Sequence, residues 1–311
     1  MANQEEPLYL NNDVIEQILI HSWVINSGVI CEKTFVAEVD SQSREIWIPR
    51  DLGNDGHFGG SCNGLLCTEV KGEITVFNPI TREVVYLPKP TFIQGSGLNY
   101  EYERMYTDFL FHNATGEYKV ILFYQNCIMQ LCAVHIYTLG ANTSWRQVGN
   151  IGIFPSNGGV NVEDTVYWPS CSPGYNGMIF FNLSEENINF IYFPINNRML
   201  LGLTKWHDGK LCDVCFQMEH RRIEFRIHSN SVEGPIAPSY EIQLQYDDDW
   251  LLAPYSIKMN RVFFVNSENS LVCRDISGEH GDFSVKYTCF GSICEIKNCF
   301  AYVESLLPVP I

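Results

Sequence analysis

The stretch ITVFNPITREVVYLP (74–88) reads as an apolar strand closed by a polar residue, Asn78, then a turn and a second strand. The chain repeats this unit. VAEVDSQSREIWIP (36–49), VHIYTLGANTSWRQV (134–148), MIFFNLSEENINFIYFP (178–194), IEFRIHSNSVEGPIAPSYEIQL (223–244) and LVCRDISGEHGDFSVKY (271–287) follow the same order. The closing polar residue falls at Asp40, Asn78, Thr138, Asn182, His228 and Asp275. Strand-built repeats of roughly 40–50 residues are the signature of a β-propeller. Such a fold offers loops and a central channel for binding, but no reaction follows from it.

A second element precedes most copies. It is a polar turn leading into an apolar strand: Asn63-Gly64 before LLCTEV, Gly116-Glu117 before YKVILFY, Asp164 before TVYWP, Asp208-Gly209 before KLCDVCF, Asn260-Arg261 before VFFVN and Asn298 before CFAYV. Asn-Gly and Asp-Gly favour the left-handed conformations of tight hairpins. The first hairpin, 36–49, has no such element before it, and the last element, Asn298 onward, has no hairpin after it. Joining the two into one mixed blade closes the ring and hides sheet edges. The reading is an all-β, six-bladed β-propeller-like domain over 33–311. The regular spacing and complementary ends favour it over a pair of β-sandwiches. The long interval between Asn78 and Thr138 predicts an inserted loop within 88–108, carrying Tyr100, Tyr102 and Tyr106.

Ahead of the repeats, LNNDVIEQILIHSWV (10–24) spaces Val14, Ile15, Ile18 and Leu19 along one face of a short N-terminal α-helix, with Asn11 or Asn12 as cap. The formal net charge of −16 repels phosphate and disfavours nucleic acid as a ligand. No stretch approaches the ~20 apolar residues that span a bilayer, and the first thirty residues lack the pattern of a secretion signal. A cytoplasmic or nuclear protein, with no membrane partner, is expected. Its 12 cysteines are then expected as thiols. Cys212 and Cys215 form a C-x-x-C inside a strand-like run, which points them to opposite faces and away from a shared metal. No G-x-S-x-G, H-E-x-x-H or P-loop occurs. FGGSCNG (58–64) reads as a turn into a strand, and Asp247-Asp248-Asp249 as a solvated loop. A non-catalytic protein without cofactor or metal is expected.

GSCNGLLCTEVKGEITVFNPITREVVYLPKP (60–90) resembles the opening of the F-box-associated domain of plant F-box proteins. FHNATGEYKVILFY, VHIYTLGANTSWRQVG, VNVEDTVYWPS and MIFFNLSEE follow in that family's order, so the resemblance covers about residues 33–305. It implies a substrate-recognition subunit of an SCF-type ubiquitin ligase, whose F-box docks a Skp1-like adaptor and whose propeller captures an unknown protein target. Residues 8–27 are then similar to a truncated F-box of one helix, with Leu10, Val14, Ile15, Ile18 and Leu19 as the adaptor-binding set. Asn11 and Trp23 stand where the family pattern has proline, and the remaining F-box helices do not follow. The alternative is a binding propeller that has lost its adaptor and competes with full-length relatives. Tyr100, Tyr102, Tyr106 and Trp250 are the expected target contacts, because exposed aromatics anchor interfaces. Trp145 and Trp168, in strand-like runs, are expected in the core.

Overall fold

The computed structural model describes residues 17–26, 29–38, 44–49, 57–91, 103–126, 131–141, 144–156, 158–172, 175–193, 198–206, 209–217, 219–228, 240–243, 256–258, 261–265, 271–275, 292–301 and 306–310. Every regular element among them is a strand, and the strands form six antiparallel sheets. The first is built from β1 (Gln17–Asn26), β2 (Val29–Glu38) and β3 (Arg44–Glu45). The second runs β4 (His57–Cys62), β5 (Leu65–Val70), β6 (Glu73–Phe77), β7 (Val84–Tyr86), and the third β8 (Glu103–His112), β9 (Glu117–Asn126), β10 (Leu131–Thr138), β11 (Arg146–Ile151). The fourth holds β12 (Val160–Val162), β13 (Thr165–Ser172), β14 (Tyr175–Asn182) and β15 (Asn187–Phe193). The fifth holds β16 (Arg198–Lys205), β17 (Leu211–Gln217), β18 (Arg222–Ile227) and β19 (Tyr240–Gln243). The sixth has β20 (Ser256–Lys258), β21 (Arg261–Val265) and β22 (Leu271–Asp275). The late strand β23 (Ser292–Ala301) returns to the first sheet, in the order β23-β1-β2-β3.

From the first sheet to the fifth, sheets adjacent in sequence pack face to face. Along β9, Val120 and Leu122 face the β4–β7 sheet in a core with Leu65, Cys67 and Val76, while Ile121 and Phe123 face the β12–β15 sheet with Trp168, Ile179 and Phe181. Strands buried on both faces read as unbroken apolar runs, which explains YKVILFY. Further cores fill the next seam, where Met178 meets Leu200, Leu211 and Cys215, and the seam where Ile46 meets Leu66 and Phe77. The first strands touch one another from sheet to sheet: β23 meets β4, β4 meets β8, β12 meets β16 and β16 meets β20. This is a β-propeller-like arrangement, with first strands innermost.

Turn chemistry sets the register. Asn63 (φ 49°) and Gly64 (φ 81°) join β4 to β5, and Lys71 (φ 52°) and Gly72 (φ 83°) join β5 to β6, each pair left-handed as a two-residue hairpin requires. At two of the repeated strands the closing polar residue forms the turn: Asn78 Oδ1 accepts the N–H of Ile80 at 2.8 Å, and Asn182 Oδ1 those of Ser184 and Glu185 at 3.0 and 2.7 Å.

Three expectations are corrected. Gln17–Asn26 is strand β1 instead of the second half of a helix. Ile18 pairs with Ala37 on one side and Ala301 on the other, and Leu19 with Val36 and Phe300. Pairing along both edges, with β-branched Ile18, Ile20, Val24 and Ile25 in the run, outweighs the weak preference of a single short helix. The mixed sheet therefore takes three strands from the early chain, and β23 occupies the first position. FGGSCNG supplies β4 itself, with a bulge between Phe58 and Gly60, before the Asn63-Gly64 turn.

Candidate recognition surface

Because consecutive strands are antiparallel, the turns after the first and third strand of each sheet gather at one end. That end presents the β6–β7 turn (78–83), the β8–β9 turn (113–116), the β12–β13 turn (163–164) and the β14–β15 turn (183–186). Glu163 (φ 54°), Glu186 (φ 51°) and Arg82 (φ 64°) hold left-handed conformations there, each projecting a charged side chain from a tight turn.

Charges link neighbouring turns. The buried Lys119 Nζ lies 3.2 Å from Glu117 and 3.7 Å from Glu186 of the next sheet, and donates to Thr138 Oγ1 at 3.4 Å. Arg146 reaches the other oxygen of Glu186 at 2.5 Å. The hydroxyl of Thr115 and then Lys119 hold the Glu117 carboxyl below its ordinary range. Glu117 and Arg146 are exposed enough to meet a partner; buried Lys119 positions the carboxylates from behind.

His112, at the end of β8, is buried between three turns. Its Nε2 lies 2.6 Å from Asp164 Oδ1 and 3.4 Å from Ser184 Oγ, and its Nδ1 lies 2.9 Å from Thr115 Oγ1. The Ser184 hydroxyl first, then His112, hold Asp164 below the usual carboxylate range. Asp164 and Ser184 share one ring nitrogen and Thr115 takes the other. The ring thereby clasps the β8–β9, β12–β13 and β14–β15 turns together.

Nearer the centre, Asp108 of β8 is buried with three donors: Trp168 Nε1 at 2.6 Å, Gly159 N at 2.8 Å and Phe109 N at 2.8 Å. Burial nevertheless pushes its carboxyl up to about 6. Glycine at 159 is obligatory, since a Cβ there would lie 2.3 Å from Asp108 Oδ2.

At the same end of the β4–β7 sheet, the segment 306–310 crosses the β6–β7 turn. Asn78 Nδ2 donates to the Leu307 carbonyl at 2.8 Å, Val309 N donates to Glu83 Oε2 at 3.1 Å, and the Val309 side chain enters the core between the β4–β7 and β8–β11 sheets.

A family model described as the F-box associated beta propeller domain matches residues 29–230, well over half of the chain. The chain belongs to the F-box-associated β-propeller family. Two Arabidopsis thaliana proteins named as F-box proteins are similar to it. One is 26% identical over 145 residues, 46% of this chain and 39% of that protein; the other is 23% identical over 163 residues, 48% and 39%. The matched region thus spans well under half the length of these curated relatives. Among solved structures, a chain of a nidogen/laminin complex superposes with a TM-score of 0.56 at 11% identity, covering 93% of this chain and 99% of that one. At that identity the likeness shows the fold alone.

In this F-box-associated domain the expected site residues fall as follows. Tyr106 lies in strand β8 and not in a loop; its ring packs on Phe123 and Phe154 at centroid distances of 5.9 and 6.5 Å. The β8–β9 pairing extends from Glu103 to Asn126, and this long ladder draws the later part of the supposed insertion into the sheet. Tyr100, Tyr102, Trp250, Leu10, Val14 and Ile15 lie outside the described residues. Ile18 and Leu19 lie in β1. Trp168 is fully buried, and Trp145 packs on the core while donating to Pro88 O at 2.7 Å. Cys212 and Cys215 are free thiols in two different cores, on opposite faces of β17. The His112 clasp and the Asp108 bond were invisible to sequence reasoning. The one available signal was the turn motif HNATGE in register with VEDT.

Proposed function

We propose that this chain is a target-recognition subunit of an SCF-type ubiquitin ligase. The propeller holds a protein target by its turn end, and a Skp1-like adaptor brings the assembly to the ubiquitin-charged enzyme. The chain forms no bond itself; it raises the local concentration of the target at the site of transfer. The observation that carries this reading is the family match across 29–230. The clasped turns beneath a rim of exposed charge supply a fixed surface of the kind recognition needs. Tyr100, Tyr102 and Trp250 remain proposed target contacts.

A second reading is favoured by one observation: the main chain of Ile18 and Leu19 is engaged on both edges within the first sheet. An adaptor-binding helix cannot use those residues without taking β1 out of that sheet. In this reading the chain binds a target without delivering it. Affinity purification of the tagged full chain from plant cells, with the proteasome blocked, decides between the two. Recovery of a Skp1-like adaptor and cullin together with a ubiquitinated partner is the result expected for the ligase receptor. A stable partner recovered without adaptor or cullin overturns that reading in favour of the second.

A further inference from the structure

Segment 306–310 is held in an unusual way for a piece of chain crossing a propeller. Its sequence is Leu306-Leu307-Pro308-Val309-Pro310. Leu306 is 80% exposed and Leu307 51%, whereas Val309 is 4% exposed and belongs to the core between two sheets. Val309 anchors the segment, and its main chain bonds to the side chains of Asn78 and Glu83.

The groups that receive it are set without its help. Asn78 Oδ1 is occupied by the N–H groups of Ile80 and Thr81, at 2.8 and 3.3 Å, which turns its amide donor toward the crossing chain. Thr81 Oγ1 donates to Glu83 Oε2 at 3.2 Å and steadies the carboxylate that accepts from Val309. The donor and acceptor read a carbonyl and an N–H two residues apart, which point to the same side only when the backbone is extended. The prolines enforce that state. Each fixes its own φ, and each pushes the residue before it, Leu307 and Val309, into extended or polyproline geometry. Proline also leaves Val309 as the one N–H donor among residues 308–310, and Glu83 takes it. The core around Val309 is partly aromatic, with Phe109, Tyr118 and Tyr137, and Trp145 packed against it. Aromatic-lined grooves that read a preformed extended backbone are a recurring mode of peptide capture.

We propose that the mouth of the seam between the β4–β7 and β8–β11 sheets is a binding groove for an extended peptide of the pattern aliphatic–Pro–Val–Pro, and that segment 306–310 is its resident occupant, displaced by a target peptide. The proposal rests on the recognition reading above and names the part of the surface that reads sequence. The groove recognises main chain and a single β-branched side chain, so its target is an extended, proline-flanked segment and not a folded domain.

The test uses the full chain and a fluorescent synthetic peptide, Ser-Leu-Leu-Pro-Val-Pro-Ile, followed by anisotropy. Val309→Asp removes the anchor and frees the groove; a second full-length variant with 306–310 replaced by Gly and Ser keeps the test valid if the first fails to fold. The freed groove is expected to bind the peptide saturably, at least tenfold more tightly than the wild type, whose groove is occupied. Glu83→Ala added to either variant is expected to weaken binding several-fold. No saturable binding by a freed chain whose circular dichroism matches wild type overturns the proposal. So does equal binding by freed and wild-type chains, which places the peptide elsewhere. Dimerisation of the freed variant with wild type, seen by light scattering, would assign the groove to a second copy of this chain and overturn it as well. These readouts register peptide alone, so their failure leaves the adaptor and target purification untouched.

Discussion

Trp168 Nε1 donates to Asp108 Oδ2 at 2.6 Å across the boundary between two sheets. The indole also meets Phe123 edge-on, at a centroid distance of 5.0 Å, so one side chain joins the β8–β11 and β12–β15 sheets by apolar packing and by a charge-assisted bond. Trp168→Ala is expected to cost about 3–5 kcal/mol through the cavity it leaves. Trp168→Phe keeps most of the packing and loses the donor, an expected cost of about 1.5–3 kcal/mol. Urea unfolding of both variants separates the two contributions.

Asp108 makes the protein more stable in mild acid than its other carboxylates alone would. Burial raises its folded-state pKa from 3.8 to about 6. Between those values the folded chain binds the proton that the unfolded chain has released. This group's contribution is therefore greatest below pH 4 and falls as pH rises to about 6. Asp108→Asn is expected to flatten that part of the stability–pH profile, and Trp168→Phe, which removes a donor to the charged form, to shift it upward.

His135 acts with the opposite sign. Burial in β10 pushes its folded-state pKa down from 6.5 to about 4. The unfolded chain takes up a proton below 6.5 and the folded chain does not until about 4, so stability is lost as pH falls through that window. His135→Gln is expected to remove this loss, in thermal melts collected between pH 4 and 7.

Glu224 and Arg146 mark two extremes of ion pairing. Glu224 is fully buried, with Arg222 and Arg226 at 2.9 and 2.8 Å. Glu224→Ala takes away the carboxylate that Arg226 pairs with and is expected to cost about 3–5 kcal/mol, while Arg222 keeps Glu241 and Gln217. Arg146, half exposed at the rim, is expected to cost no more than ~1 kcal/mol when changed to Ala, even with its short contact to Glu186. Denaturation at low and high salt checks the contrast, since only the rim pair is screened.

Gly159→Ala would place a methyl group 2.3 Å from Asp108 Oδ2 and 2.4 Å from Trp168 Nε1. The expected result is loss of the Trp168 bond as well as of packing, seen as a change in indole fluorescence that Gly152→Ala, which meets nothing within 4 Å, does not produce.

The hairpins were legible because their causes are local. Strand alternation, Asn63-Gly64 and the turn-forming side chains of Asn78 and Asn182 all act within a few residues. The mixed sheet was legible from the unmatched elements at the two ends. The strand identity of Gln17–Asn26 was not, because its partner β23 lies more than 250 residues away and the local apolar spacing also suits a helix. The Asp108–Trp168 bond and the His112 clasp bring together side chains 60 and 52 residues apart, with no spacing rule to announce them. Tyr106 was misplaced because the loop expected between 88 and 108 gives way to strand at Glu103.

The pairing of β1 with β23 also imposes an order of events during synthesis. Once Glu38 has left the ribosome, β1 can pair with β2, but its other edge waits for Ser292–Ala301. At translation rates of 5–20 residues per second that wait is on the order of tens of seconds. For that time the nascent chain carries an open, β-branched edge, the kind of surface that recruits other strands. Newly made chains should therefore need protection by chaperones until β23 arrives, and synthesis halted ahead of Ser292 would leave the first sheet with β1 as an open edge.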